Sequence, residues 1–206
     1  MTDSTTLIFS IVILLFSVII HEISHGYAAE RLGDPTARYA GRLTLNPIPH
    51  LDLIGSILLP LLLIFSGSPF MIGWAKPVPY NPFNLRNQRW GEAIVAIAGP
   101  LVNIFIFLLF GLIIRFYADV LSLRALTLMS TVVLINIVLA IFNLVPIPPL
   151  DGSKILFSIL PYRARAIRFN LERYGFVLVL VFVIFFWQYL TPLIASIFAT
   201  VTGIPV

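Results

Sequence analysis

"LIFSIVILLFSVIIHEISHGYAA", residues 7–29, decides the fold. Fourteen residues without a charge precede His21. At about 1.5 Å per residue, a helix entering a bilayer near Leu7 carries His21 about 20 Å into a hydrocarbon core about 30 Å thick. Two histidines and a glutamate are thus expected inside the membrane, toward the end of the first span. Ionisable groups at that depth are costly and usually functional.

The rest of the chain agrees. Of 206 residues, 59% are apolar and 11% charged, and the mean hydropathy is +1.01, the composition of a membrane protein. The net charge of +4 does not argue for nucleic acid, because the basic residues lie between apolar stretches and report topology instead. Without cysteine, disulfides, thiolate ligands and a thiol nucleophile are excluded, so any metal must be held by His, Asp or Glu. The N-terminal "MTDSTT" carries an acid and no base, unlike the start of a cleaved signal peptide, so the first span is expected to be retained.

Four stretches are long enough to span a bilayer: Leu7 to Ala29, Glu92 to Tyr117, Ala125 to Leu144 and Tyr174 to Thr200. A fifth, Leu51 to Gly67, is shorter and contains Asp52 and Pro60. Arg31, Arg38 and Arg42 precede it and Lys76, Arg86 and Arg89 follow it. A full crossing would put these two basic clusters on opposite faces, so a re-entrant segment is expected, with five to six crossings as the alternative. The same rule puts Lys154, Arg163, Arg165, Arg168 and Arg173 on the cytoplasmic side with the histidines. The expected fold is therefore an all-α polytopic membrane protein: one membrane-embedded domain over residues 1–206, with about four transmembrane helices and the re-entrant segment. The alternating "ARYAGRLTL" at 37–45 suggests a short strand or hairpin edge. It could hold a substrate extended.

His21 and His25 are four residues apart and share a helix face, with Glu22 beside them. This HExxH spacing lets two neutral imidazoles bind zinc while the glutamate takes a proton from the attacking water. A third ligand is needed, and Asp151, Asp52, His50, Glu30 and Asp34 are candidates. Asp151 is favoured because "NLVPIPPLDGSK", residues 143–154, follows the third span at the depth of the histidines. Its prolines cannot continue a helix. Capping of a short helix starting near Ser153 is a compatible role for Asp151. His50 is expected to orient a ligand or serve the structure rather than bind metal.

Together these segments resemble the intramembrane site-2 metalloproteases. "HEISH" is similar to that family's HExxH helix and "NLVPIPPLDG" to its Asn-x-x-Pro-x-Pro-x-x-Asp-Gly signature. The likeness continues through "GWAKPVPYNP" and "AGPLVN" over most of residues 13–160, as in a minimal member without a PDZ or CBS domain. The resemblance implies one zinc ion on His21, His25 and Asp151, Glu22 as general base, and Asn143 near the scissile carbonyl. It also implies a transmembrane-helix substrate and a multi-pass place in a prokaryotic cell membrane. Asn143 could donate to an oxyanion or satisfy carbonyls freed by the proline turn. Asn103 would be a substrate-side or helix-packing residue. A metal-binding membrane carrier and a non-catalytic, protease-derived adaptor are the alternatives.

Overall fold

A computed structural model describes residues 4–66, 73–161 and 165–205, so Gly67 and Arg163 of the expectations above lie outside the described residues. Four helices are long and apolar enough to cross a bilayer. The first is α1 (Ser4–Arg31). After it come the single turn α2 (Thr36–Tyr39) and a π-helical turn (Leu53–Leu58) that runs into α3 (Leu59–Phe65). The second and third long helices are α4 (Gly91–Tyr117) and α5 (Leu123–Leu144). A short α6 (Asp151–Ile159) separates them from the fourth. That one combines α7 (Arg165–Val181), a π-helical turn (Phe182–Phe186) and α8 (Trp187–Thr202).

The packing explains this order. α4 is the hub and touches α1, α5, α6 and α8. In lipid, helices associate through close packing and polar contacts rather than hydrophobicity. The small residues Gly91, Ala93, Ala96 and Gly99 at the start of α4 are buried and let neighbours approach. Further along, Phe107 and Ile114 pack with Val133, Ile137, Ile194 and Phe198 into an apolar core between α4, α5 and α8. Leu7, Ile8 and Ile11 of α1 face outward, each more than half exposed, as lipid-contacting residues do.

The expected spans hold, with two differences. The fourth helix starts at Arg165, nine residues before the expected Tyr174. Its added turns are polar and held by Arg168, which bonds Glu172 at 2.9 Å and Glu92 of α4 at 3.4 Å; apolar length alone does not register them. The hairpin expected at 37–45 is absent, and there is no strand among the described residues. Asp34 instead accepts from the backbone N–H and hydroxyl of Thr36 and starts the turn of α2, which buries Ala37 completely. Leu53–Leu58 and α3 supply six and seven residues. At about 1.5 Å per residue this falls short of a bilayer core. Asp52 caps the run by accepting from the N–H groups of Ile54 and Gly55.

Candidate active site

α1 supplies two imidazoles from consecutive turns. The rings of His21 and His25 meet edge to face, with centroids 4.7 Å apart. Asp151, the first residue of α6, brings its Oδ2 within 3.1 Å of His21 Nε2 and 3.2 Å of His25 Nε2. All three side chains are buried.

The reversal after α5 is what puts Asp151 there. The proline-rich stretch ends α5, and α6 then folds back so closely that a Cβ on Gly152 would lie 2.2 Å from the Leu144 carbonyl oxygen. Only glycine fits against that backbone. The N-cap position of α6 belongs to Leu150, with no side-chain cap. Asp151 therefore directs its carboxylate at the histidines rather than at its own helix.

The donor set defines what such a site can hold. His25 Nδ1 lies 2.7 Å from the Val95 carbonyl oxygen, which only accepts, so the ring donates there and a neutral imidazole keeps its lone pair on Nε2. His21 Nδ1 lies 2.6 Å from Asn103 Oδ1, the same arrangement. Two ring nitrogens and a carboxylate oxygen thus converge as acceptors, and such a cluster is self-repelling without a shared cation. A tetrahedral metal with bonds of about 2.0–2.1 Å holds its ligand atoms about 3.3 Å apart. The observed 3.1 and 3.2 Å fit a metal of that size.

Glu22 stands beside this cluster, its carboxylate within 4.8 Å of the histidine ligand atoms. Its Oε2 accepts the Val78 N–H at 2.8 Å. Val78 lies in a stretch without helix or strand, 73–81, between Pro77 and Pro79, which have no N–H to give. Buried Arg42 fixes this stretch by donating to the carbonyls of Lys76 and Pro77. Asp34 holds its far end through the Asn81 N–H at 2.6 Å. A cavity of about 120 Å³ lies beneath, bordered by the cluster, Val78, Tyr80, Asn143 and Lys154. Half-buried Asn143 donates one amide hydrogen to the Leu139 carbonyl of its own helix. Its second hydrogen and its oxygen remain as groups that can act in the cavity.

The other candidate ligands serve the scaffold. Glu30 pairs with Arg38. Asp34 ties α2 to Asn81 and Asn84. His50 places Nε2 2.9 Å from the Thr44 carbonyl oxygen, and Asp52 caps its helix. Sequence reading missed Lys154 and Tyr80. Lys154 Nζ sits 4.0 Å from Asp151 Oδ1 and 5.1 Å from the Tyr80 ring centre. Burial pushes the Tyr80 phenol up, partly offset by that ammonium. The three-residue spacing from Asp151 was the signal for Lys154. Tyr80 had none beyond its place in the quoted "GWAKPVPYNP".

A Bacillus subtilis (strain 168) protein named "Putative zinc metalloprotease YwhC" is 38% identical over 178 residues, 83% of this chain and 78% of its own length. The sequence pattern of Peptidase family M50 matches residues 109–186, which include Asn143 and Asp151. The chain belongs to that family, the site-2 proteases. Rip2 of Mycolicibacterium smegmatis, described by the same words, is 30% identical over 82% of this chain and 64% of its own length. "Zinc metalloprotease MJ0392" of Methanocaldococcus jannaschii is 27% identical over 72% of this chain and 33% of its own length. No solved structure matches. Membership in M50 and the four long apolar helices make the chain an integral membrane peptidase of the metalloprotease type.

Proposed function

We propose that this M50 protein is a zinc-dependent endopeptidase that cuts peptide bonds within or next to the transmembrane segments of other membrane proteins. The carrying observation is that His21 Nε2 and His25 Nε2 both lie within 3.2 Å of Asp151 Oδ2 in a helix bundle made to lie in lipid. Zinc is the metal that imidazole and carboxylate ligands at tetrahedral spacing favour.

His21, His25 and Asp151 would hold one zinc ion per chain. When bound, the ion supplies Lewis acidity at the scissile carbonyl and lowers the pKa of water. Glu22 takes the proton of the attacking water and delivers it to the leaving amine. To do so its carboxylate shares itself with, or releases, the Val78 N–H. Asn143 lines the cavity and offers its second amide hydrogen where negative charge develops on the carbonyl oxygen. Lys154 and Tyr80 border the same cavity and shape the entry of the chain to be cut. A substrate helix hides its carbonyls in its own hydrogen bonds, so it must unwind to reach these groups. The basic residues around this end of the bundle support a cytoplasmic active site.

The test is reconstitution of the purified protein in liposomes with single-span substrates, and mapping of the cut by mass spectrometry. Cuts within or at the border of the span support the reading. Cuts confined to soluble loops, or to soluble proteins, reject it.

A further inference from the structure

A line of buried polar side chains leads away from His21 and belongs to none of the steps above. Asn103 of α4, Asn136 of α5 and Ser17 of α1 are 0%, 0% and 4% exposed. They form one hydrogen-bonded chain through the middle of three apolar helices. His21 Nδ1 meets Asn103 Oδ1 at 2.6 Å. Asn103 Nδ2 donates to Asn136 Oδ1 at 2.8 Å. Asn136 Nδ2 donates to Ser17 Oγ at 3.0 Å and to the Val132 carbonyl oxygen at 2.9 Å.

The direction of this chain is fixed at its far end. The Val132 carbonyl can only accept, so Asn136 must turn its NH2 toward it and its oxygen toward Asn103. Asn103 then has to give its own NH2 to Asn136, which leaves its oxygen for His21. His21 Nδ1 faces an acceptor and carries the proton, and Nε2 keeps the lone pair. A backbone carbonyl on α5 thus dictates, through two amides, which nitrogen of a histidine on α1 can bind a metal.

We propose that Asn103, oriented by Asn136 and Ser17, is a positioning residue that locks His21 in its Nδ1–H form and aims Nε2 at the metal. This rests on the metal-site reading above. His25 obtains the same lock from the Val95 backbone carbonyl, so the two ligands are set by different means, and only that of His21 is open to side-chain substitution. Ring-orienting partners of metal-bound histidines typically contribute 10–100-fold in metal affinity.

The experiment measures zinc affinity by chelator competition on purified, detergent-solubilised wild type, Asn103→Leu, Asn103→Asp and Asn136→Leu, each checked for folding by its thermal transition. Asn103→Leu removes the acceptor and is expected to weaken zinc binding about 10–100-fold. Asn103→Asp keeps an acceptor at His21 and, with its second oxygen protonated, still donates to Asn136 Oδ1 in place of the lost amide hydrogen, so it is expected to stay within about threefold of wild type. Asn136→Leu leaves Asn103 in place but unoriented and is expected to fall between them. Rescue by aspartate is the sign of positioning, because a packing role alone would not separate Asp from Leu in that order. Folded Asn103→Leu with wild-type affinity overturns the proposal, as does Asn103→Asp binding as weakly as Asn103→Leu. Should Asn103→Leu not fold, Asn103→Asp and Asn136→Leu decide: zinc binding is retained in the first and weakened in the second, or the proposal fails. A wild type that binds no zinc rejects the metal site itself, a result distinct from these.

Discussion

A methyl group on Gly99 would stand 2.5 Å from His21 Nε2 and 2.6 Å from His25 Cε1. α4 therefore lies against the two imidazoles with no room for a side chain between. The glycine of "AGP" is a wall of the metal site as well as a helix contact. Gly99→Ala must displace at least one ring, and overpacking costs about 1–3 kcal/mol. Zinc affinity is expected to fall about 10–100-fold, measured by chelator competition, with peptidase activity falling alongside.

Gly152→Ala is expected to be more damaging, because its obstacle is the Leu144 backbone carbonyl at 2.2 Å, which cannot swing aside. α6 has to move and take Asp151 with it. Zinc content after dialysis and the thermal transition should both drop. Retention of wild-type values in both would contradict the account of the reversal.

Asn143→Leu should separate catalysis from metal binding. Zinc content stays at the wild-type level, and turnover falls about 100–1,000-fold, the range for losing one donor to a developing oxyanion. Unchanged turnover would assign Asn143 to the proline turn alone.

Asp34 predicts a pH dependence. Burial pushes its carboxyl up, but hydrogen bonds from Thr36, Asn84 and Asn81 outweigh it and hold the group below the ordinary carboxylate value. Lowered in the folded state, it contributes stability that is full above the unfolded value of about 3.9 and is lost as pH falls through the folded one. Asp34→Asn should therefore be less stable than wild type at neutral pH. The gap between the two thermal transitions should close under acid, below about pH 4. A constant gap would contradict this.

Arg42→Met removes the donor shared by the Lys76 and Pro77 carbonyls from a buried position. The 73–81 stretch should loosen, seen as faster hydrogen exchange at the Lys76 and Val78 amides, with a stability loss of about 1–3 kcal/mol. Exchange as slow as in wild type would contradict its role as a tether.

Much of this was legible in the sequence. Apolar length marks the four spans, and HExxH with the proline-bounded Asp151 marks three converging groups, because both signals are local. Asn136 was less visible: a lone amide within "VLINIVL" at 133–139 reads as glue between helices until its neighbours are known. Seven residues from Asn143, it shares that residue's helix face, and Ser17 stands one turn before His21; these spacings were the available signals. The strand expected at 37–45 failed because alternation in so short a stretch yields to the turn that Asp34 holds through the N–H and hydroxyl of Thr36. The segment that borders the site is 73–81, through Pro77, Val78 and Tyr80. It is held by Glu22, Arg42 and Asp34, partners 34 to 56 residues distant in sequence, from Arg42 on Lys76 to Glu22 on Val78. Local patterns carry no signal over that distance.

The central claim is that Glu22 is the base beside a zinc ion held by His21, His25 and Asp151. Its most direct test is zinc content and cleavage of a single-span substrate by purified wild type, Glu22→Gln and Asp151→Ala. The account predicts about one zinc per chain in wild type and Glu22→Gln, loss of zinc in Asp151→Ala, and cleavage by wild type alone. Cleavage by Glu22→Gln at the wild-type rate, or a cleaving wild type without metal, would contradict it.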